Sequence, residues 1–242
     1  MMSEQKIILG DAYKLIKEIA PSSVDLIITD PPYEIEGIHG SGIVKNRQIS
    51  FHKELCAKKL DKGIDYSILE DFVKVLRKIN IYIWCSKEQL IPYLDYFVKT
   101  KGCNFEILVW AKEDPTPFCG THYLVDKEFC LYFWEQGAPV HIPFNRCKTV
   151  FSSKKNVFDK KDYGHPTIKP IEIIENFILN SSQEDDLVLD CFLGSGTTAL
   201  AAKHTGRNFI GFEIDEDYYK IATDRLKGIN KRGELNLFDI ED

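Results

Sequence analysis

Four consecutive residues, Asp30-Pro31-Pro32-Tyr33, join a carboxylate, two rigid residues and a phenol. They follow Val24-Asp25-Leu26-Ile27-Ile28-Thr29, which has the length and apolar character of a buried strand. Two prolines in a row cannot continue a central strand, so the four residues sit at its C-terminal end, where α/β proteins bind ligands. The chemistry open to such a group is activation of an amine on an aromatic ring. The lone pair of that nitrogen is delocalised and is a poor nucleophile. Acceptors for its hydrogens, the Asp30 carboxylate and the Pro31 carbonyl, would draw the nitrogen toward tetrahedral geometry. Tyr33 would stack on the ring, and Pro31 and Pro32 would hold the acceptors in place before reaction.

A second constellation lies near the other end of the chain. Leu187-Val188-Leu189-Asp190 reads as a buried strand, and Cys191-Phe192-Leu193-Gly194-Ser195-Gly196-Thr197-Thr198 as a glycine turn opening a helix that runs to about His204. Glycine lets backbone approach a ligand closely, and a helix N-terminus offers free N–H groups. The next strand, Asn208 to Glu213, ends in an acid placed about 20 residues after the glycines to take both hydroxyls of a ribose. This arrangement suits a cofactor that contains adenosine. Alone it leaves NAD, FAD and S-adenosylmethionine open, and the amine-activating group favours the last.

The elements that must position these residues alternate. Lys6 to Leu9 reads as a strand, Ala12 to Ile19 as a helix, Ile68 to Lys78 as a helix and Ile79 to Trp84 as a strand. Glu88 to Lys99 reads as a helix, and Phe105–Trp110 and Glu128–Trp134 as strands. Helices are expected again at Ile171–Leu179 and Asp217–Lys227. Strands alternating with helices predict an α/β fold, a twisted and mostly parallel sheet with helices on both faces. Residues 1–242 are expected to form a single domain, with a long loop at 34–63 and an irregular, basic stretch from Glu135 to Tyr163.

Three segments together carry a resemblance. Thr29-Asp30-Pro31-Pro32-Tyr33 looks like the D-P-P-Y catalytic motif of amino-group DNA methyltransferases, and Asp190–Thr198 resembles their cofactor motif. His165-Pro166-Thr167-Ile168-Lys169-Pro170 resembles the H-P-T-x-K-P segment that precedes it. The catalytic motif comes first and the cofactor motif last, the order of the permuted β group. The resemblance implies a Rossmann-like S-adenosylmethionine-dependent fold and direct methyl transfer from S-adenosyl-L-methionine to a base amine. Asp30, Pro31, Pro32 and Tyr33 would form the catalytic group. Gly194, Ser195 and Gly196 would pass under the methionine part of the cofactor, and Phe192 and Thr197 would also be cofactor-binding. Asp190 would accept from its ammonium, Lys169 or Thr167 would meet its carboxylate, Glu213 would bind the ribose hydroxyls and Asp11 the adenine amine. The alternative for Asp11 is a cap on the first helix. Adenine N6 is the expected target, because the family's cytosine-N4 enzymes tend to carry Ser where Asp30 stands; cytosine N4 is the alternative. The family often has Pro at the position of Cys191. Its DNA-recognition region is short here, at 135–164. A homodimer and a place in restriction-modification are further expectations of the resemblance.

Composition limits the partners. The formal net charge is −6, which excludes a protein that coats DNA indiscriminately. Yet residues 140–170 carry a local balance of +5 and residues 45–63 one of +4, so contact with double-stranded DNA bearing a flipped base is expected from these two segments. The seven cysteines form no C-x-x-C pair, so neither a metal site nor a disulfide framework is expected, and no cysteine nucleophile is needed. Without a membrane span or a signal-like start, a cytoplasmic home is the expectation. Two other classes compete with methyl transfer. A dinucleotide oxidoreductase would explain the glycines and Glu213 but leave Asp30–Tyr33 idle. A catalytically inactive nucleic-acid-binding module would have no use for the four intact residue types.

Overall fold

The structure, a computed structural model, describes residues 4–33, 63–115, 123–154 and 168–229. Eight strands, β1 (Gln5–Leu9), β2 (Leu26–Thr29), β3 (Asn80–Cys85), β4 (Asn104–Lys112), β5 (Lys127–Trp134), β6 (Val150–Ser153), β7 (Leu187–Asp190) and β8 (Asn208–Glu213), form one sheet in the order β1-β8-β7-β2-β3-β5-β4-β6. β5 runs antiparallel to both of its neighbours and every other pairing is parallel. The sheet is therefore mostly parallel, as the alternation of elements implies.

The central strands are apolar almost throughout because both of their faces are covered. Along β2, Leu26 and Ile28 point to one side and Ile27 to the other, and all three are buried. One face packs against α1 (Ala12–Leu15), α2 (Ile68–Val75) and α3 (Leu90–Leu94), through Ile16, Leu69, Phe72 and Tyr93. The other packs against α4 (Ile171–Ser181), α5 (Thr197–His204) and α6 (Glu216–Leu226), through Ile174, Phe177, Ala202 and Ala222. Tyr82 is stacked between Tyr132 and Phe177, with centroids at 4.0 and 4.4 Å. None of the described helices is long and apolar enough to cross a membrane.

Two elements differ from the sequence expectation. The basic stretch read as irregular contains β6, a four-residue edge strand that exists by pairing with β4 (Val109↔Val150, Ala111↔Ser152). The helix read from Glu88 to Lys99 is α3 followed by a π-helical turn, Asp95–Thr100. Pro92 is tolerated because it lies in the first turn of α3, where no N–H is needed. The expected loop at 34–63 falls, apart from Gly63, outside the described residues, as do residues 155–164 of the expected recognition insertion.

Asn80 joins the two halves of the sheet. Its side chain is buried and donates to the carbonyls of Asp25 (3.0 Å) and Ser181 (2.7 Å), while its Oδ1 accepts from Tyr132 OH (3.1 Å). Asn80→Ala strands these buried partners and is expected to cost about 2–4 kcal/mol. Urea unfolding should show a lower midpoint at an unchanged slope.

Candidate active site

Strands β1, β8, β7 and β2 are neighbours and parallel, so their C-terminal ends share one edge of the sheet. Gly10 and Asp11 follow β1, Glu213 ends β8, Asp190 ends β7 and Asp30 follows β2. The two motifs, far apart in sequence, meet here. Thr29 Oγ1 at the end of β2 donates to Asp190 Oδ1 at 2.9 Å. From β2 the chain builds the sheet outward through β3, and from β7 it builds the other way through β8. The gap between β7 and β2 is thus the switch point at which open α/β sheets bind ligands.

On the β7–β8 side the turn is built around Gly196, whose φ of +81° places it in the left-handed region. A Cβ there would stand 2.9 Å from the Cβ of Ala222, so glycine is required both by the backbone and by the approach of α6. From α6, the buried Arg225 donates to Thr197 Oγ1 at 2.8 Å. Ser195 and Thr197 are themselves buried. Glu213 accepts from Gly194 N–H at 2.7 Å and from Asp215 N–H at 2.9 Å, and its backbone carbonyl accepts from Gly10 N–H at 2.7 Å. Asp190 is 2% exposed. Burial lifts its carboxyl to about 7, although hydrogen bonds from Thr198, the Phe192 N–H and Thr29 pull it down. Asp11 caps α1 by accepting from Tyr13 N–H at 3.0 Å, the role weighed against adenine binding in the sequence. Phe192 is partly buried and meets the edge of Tyr13 at 6.2 Å. Thr167 lies outside the described residues.

On the β2 side four charges of alternating sign stand in a row. The Lys169 ammonium makes a short ion pair with Asp30 Oδ2 and a second one, at 3.1 Å, with Glu128 Oε2. Glu128 Oε1 pairs with Lys112 at 2.6 Å. Lys169 is also 3.3 Å from Tyr33 OH and lies over the rings of Trp84 (5.0 Å) and Tyr33 (5.4 Å). Burial alone would lower the pKa of Lys169, but the two carboxylates outweigh it and hold the ammonium above the ordinary lysine value. Burial raises Asp30 against the pull of Lys169, whereas Glu128, with two lysines, is held down at about 2. Asp30 Oδ1 is buried and has no hydrogen-bond partner among the described residues. Pro31 is buried, and the carbonyl of Pro32 accepts from Gln89 Nε2 at 3.1 Å, which pins the turn to the residues after β3.

The structure thus brings Asp30–Tyr33, Lys169, Asp190, the glycine turn and Glu213 to one edge. Glu128, Gln89 and Arg225 belong to the same edge, and sequence reasoning passed over all three. Glu128 opens an ordinary strand and Arg225 lies in the last turn of a polar helix, so neither carries a local signal. Of the basic residues expected to touch DNA, Arg146 is engaged with α4, where it donates to Asn180 Oδ1 at 3.1 Å and its carbonyl accepts from Asn180. Trp110, Tyr132 and Phe133 are core residues, while Tyr123 is exposed. Cys85, Cys103, Cys130 and Cys191 are buried thiols, and burial pushes Cys85 up to about 12.

Residues 24–224, from just before β2 into α6, match the family described as DNA methylase. The chain belongs to that family. This DNA methylase is 31% identical over 243 residues to the Type II methyltransferase M2.LlaDCHI of Lactococcus lactis subsp. cremoris, covering 90% of this chain and 87% of that protein. It is 31% identical over 256 residues to the DNA adenine methyltransferase YhdJ of Escherichia coli (strain K12), covering 91% and 82%. Among solved structures it is similar to the M1.HpyAVI–SAM complex, with a TM-score of 0.68 and 27% identity over 91% of this chain and 98% of that one.

The Asp190 carboxyl of the DNA methylase makes a prediction about its unliganded state. The folded protein binds this proton up to about pH 7, the unfolded chain only up to about pH 4. Between these values the native state holds more protons, so the contribution of Asp190 to stability falls as pH rises. Relative to Asp190→Asn, the wild-type urea midpoint should drop between pH 5 and 7.5 (roughly one to two pH units of linkage). Parallel profiles for the two proteins would remove Asp190 as the titrating group.

Proposed function

We propose that this DNA methylase transfers the methyl group of S-adenosylmethionine directly to the N6 amine of adenine at specific sites in double-stranded DNA. The observation that carries the proposal is the order of side chains along the sheet edge. Asp11, Glu213, Asp190 and Asp30 stand at the ends of β1, β8, β7 and β2 in that spatial order. Three strand spacings of about 4.8 Å give about 14 Å, a span suited to an extended adenosyl–methionine ligand. Asp11 would meet adenine, Glu213 the ribose hydroxyls and Asp190 the ammonium. The fit is chemical as well as spatial. A buried carboxyl with a pKa of about 7 and neutral donors around it gains most from an incoming cation. The turn at Gly194–Thr197 offers its backbone and Phe192 a ring beside the methionine part, and Thr167 keeps its assignment to the carboxylate.

When bound, the cofactor supplies a methyl group on a sulfonium centre, which needs a nucleophile but no covalent enzyme intermediate. Asp30 Oδ1 and the Pro31 carbonyl would accept the two hydrogens of the target amine and turn its lone pair toward that methyl group. Tyr33 would hold the base, which must leave the duplex to reach them. Forming the N–C bond would break the S–C bond and leave the spent cofactor as a neutral thioether, one N–H proton would depart, and Asp30 would be the base that takes it before it passes to solvent. Lys169, assigned by the resemblance to the cofactor's carboxylate, is read here as the counter-charge of Asp30, because Asp30 and Glu128 engage its ammonium. The name of YhdJ supports adenine as the target.

The test is methyl transfer from labelled S-adenosylmethionine to unmethylated genomic DNA, followed by nucleoside analysis. N6-methyladenine is expected. N4-methylcytosine would overturn the choice of base, and unlabelled DNA would overturn the reaction. Asp30→Ala should lower turnover by about 10³-fold while the cofactor dissociation constant stays within about threefold. Glu213→Ala should do the reverse, weakening cofactor binding by about tenfold or more and leaving turnover at saturating cofactor largely intact.

A further inference from the structure

Glu128 belongs to none of the motifs that point to methyl transfer, and it reaches the catalytic edge because β5 runs against β3 and β4. That reversal brings the start of β5, rather than its end, to the edge where Asp30 lies. The Glu128 carboxylate has two cations: Lys112, from the end of β4, at Oε1 and Lys169 at Oε2. Tyr33 OH also donates to Oε2, at 3.4 Å. Lys169 is in turn shared between Glu128 and Asp30, so the two carboxylates compete for the three donors of one ammonium.

We propose that Glu128 is a positioning residue for methyl transfer: it restrains the Lys169 ammonium and so leaves one oxygen of Asp30 free for the target amine. The geometry matches this division, since Oδ2 of Asp30 holds Lys169 while Oδ1 has no hydrogen-bond partner among the described residues. Released from Glu128, Lys169 would belong to Asp30 alone, and the incoming amine would have to displace it. Lys112 acts from the far side by balancing the charge of Glu128. Among the other groups facing Asp30, Tyr33 also hydrogen-bonds its carboxylate. Cys85 of β3, Cys130 of β5, Tyr93 of α3 and Tyr33 are kept protonated by burial, and Asp190 of β7 is a second acid. The proposal rests on Asp30 being the acceptor of the amine.

The experiment is kcat against pH at saturating S-adenosylmethionine and DNA, for the wild type, Glu128→Gln and Lys112→Gln, together with S-adenosylhomocysteine affinity. Glu128→Gln should lower kcat by roughly tenfold or more with affinity within about threefold. Its acid limb should move to lower pH, because an anion that raises Asp30 is gone and Lys169 pairs with Asp30 alone. In Lys112→Gln the limb should move to higher pH, because Glu128 then draws Lys169 away from Asp30. A purely structural role for Glu128 would lower thermal stability and leave both limbs in place. Unmoved limbs, wild-type kcat in Glu128→Gln, or cofactor affinity falling as far as kcat would each overturn the proposal. Should Glu128→Gln fail to fold, the direction of the Lys112→Gln shift decides. A wild type without methyl transfer would sink the reading of the whole site, whereas an active wild type with unmoved limbs would sink the role of Glu128 alone.

Discussion

Parallel pairing of β2 with β7 sets Asp30 and Asp190 at neighbouring strand ends, in a place where burial penalises both charges. The rest of the edge answers that constraint in two ways. Asp190 is surrounded by neutral donors, Thr29, Thr198 and the Phe192 N–H, which soften its burial without neutralising it. Asp30 is given a full cation. Glu128 shares that cation. Glu128 then needs Lys112, and the row of alternating charges ends at the end of β4, where Lys112 is still well covered. One pairing register thus accounts for residues on four separate elements.

The antiparallel strand gives the edge its second source of side chains. In a wholly parallel sheet only the C-terminal ends of strands face the ligand. Here one half, β1, β8, β7 and β2, follows that rule. In the other half β5 contributes its first residues, between the last residues of β3 and β4. Trp84 from the end of β3 lies under the ammonium that Glu128 from the start of β5 restrains.

Much of this was legible in the sequence for a physical reason. Strands buried on both faces must be apolar along their length, so β2 and β7 stand out, and the prolines and glycines after them mark where they stop. The Gly196 turn was readable because it needs a left-handed backbone and close approach of α6. The role of Glu128 was not readable, since it depends on the register between β4 and β5, in which Glu128 lies opposite Trp110. β6 was missed for a similar reason. Its four residues show alternating exposure and hold together through one neighbour, β4, so their conformation is a property of the pair. Lys169 was found by its motif, and its partners Asp30 and Tyr33 by another, but Glu128 came from a strand that carries none.

The position of β1 at the far end of the sheet has a bearing on how the protein comes into being. β1 is made about 200 residues before β8, its sheet neighbour among the described residues. The hydrogen bonds from Gly10 N–H to Glu213 and from Phe209 N–H to Glu4 therefore cannot close until β8 has been made. Until they form, the edge that carries Asp11 and Glu213 is incomplete while β2, β3, β5 and β4 can already pair. Such long-range closure is slow. A half-made chain would hold Asp30 and Glu128 in register before Glu213 exists, and this edge of the sheet would be completed only with the synthesis of β8.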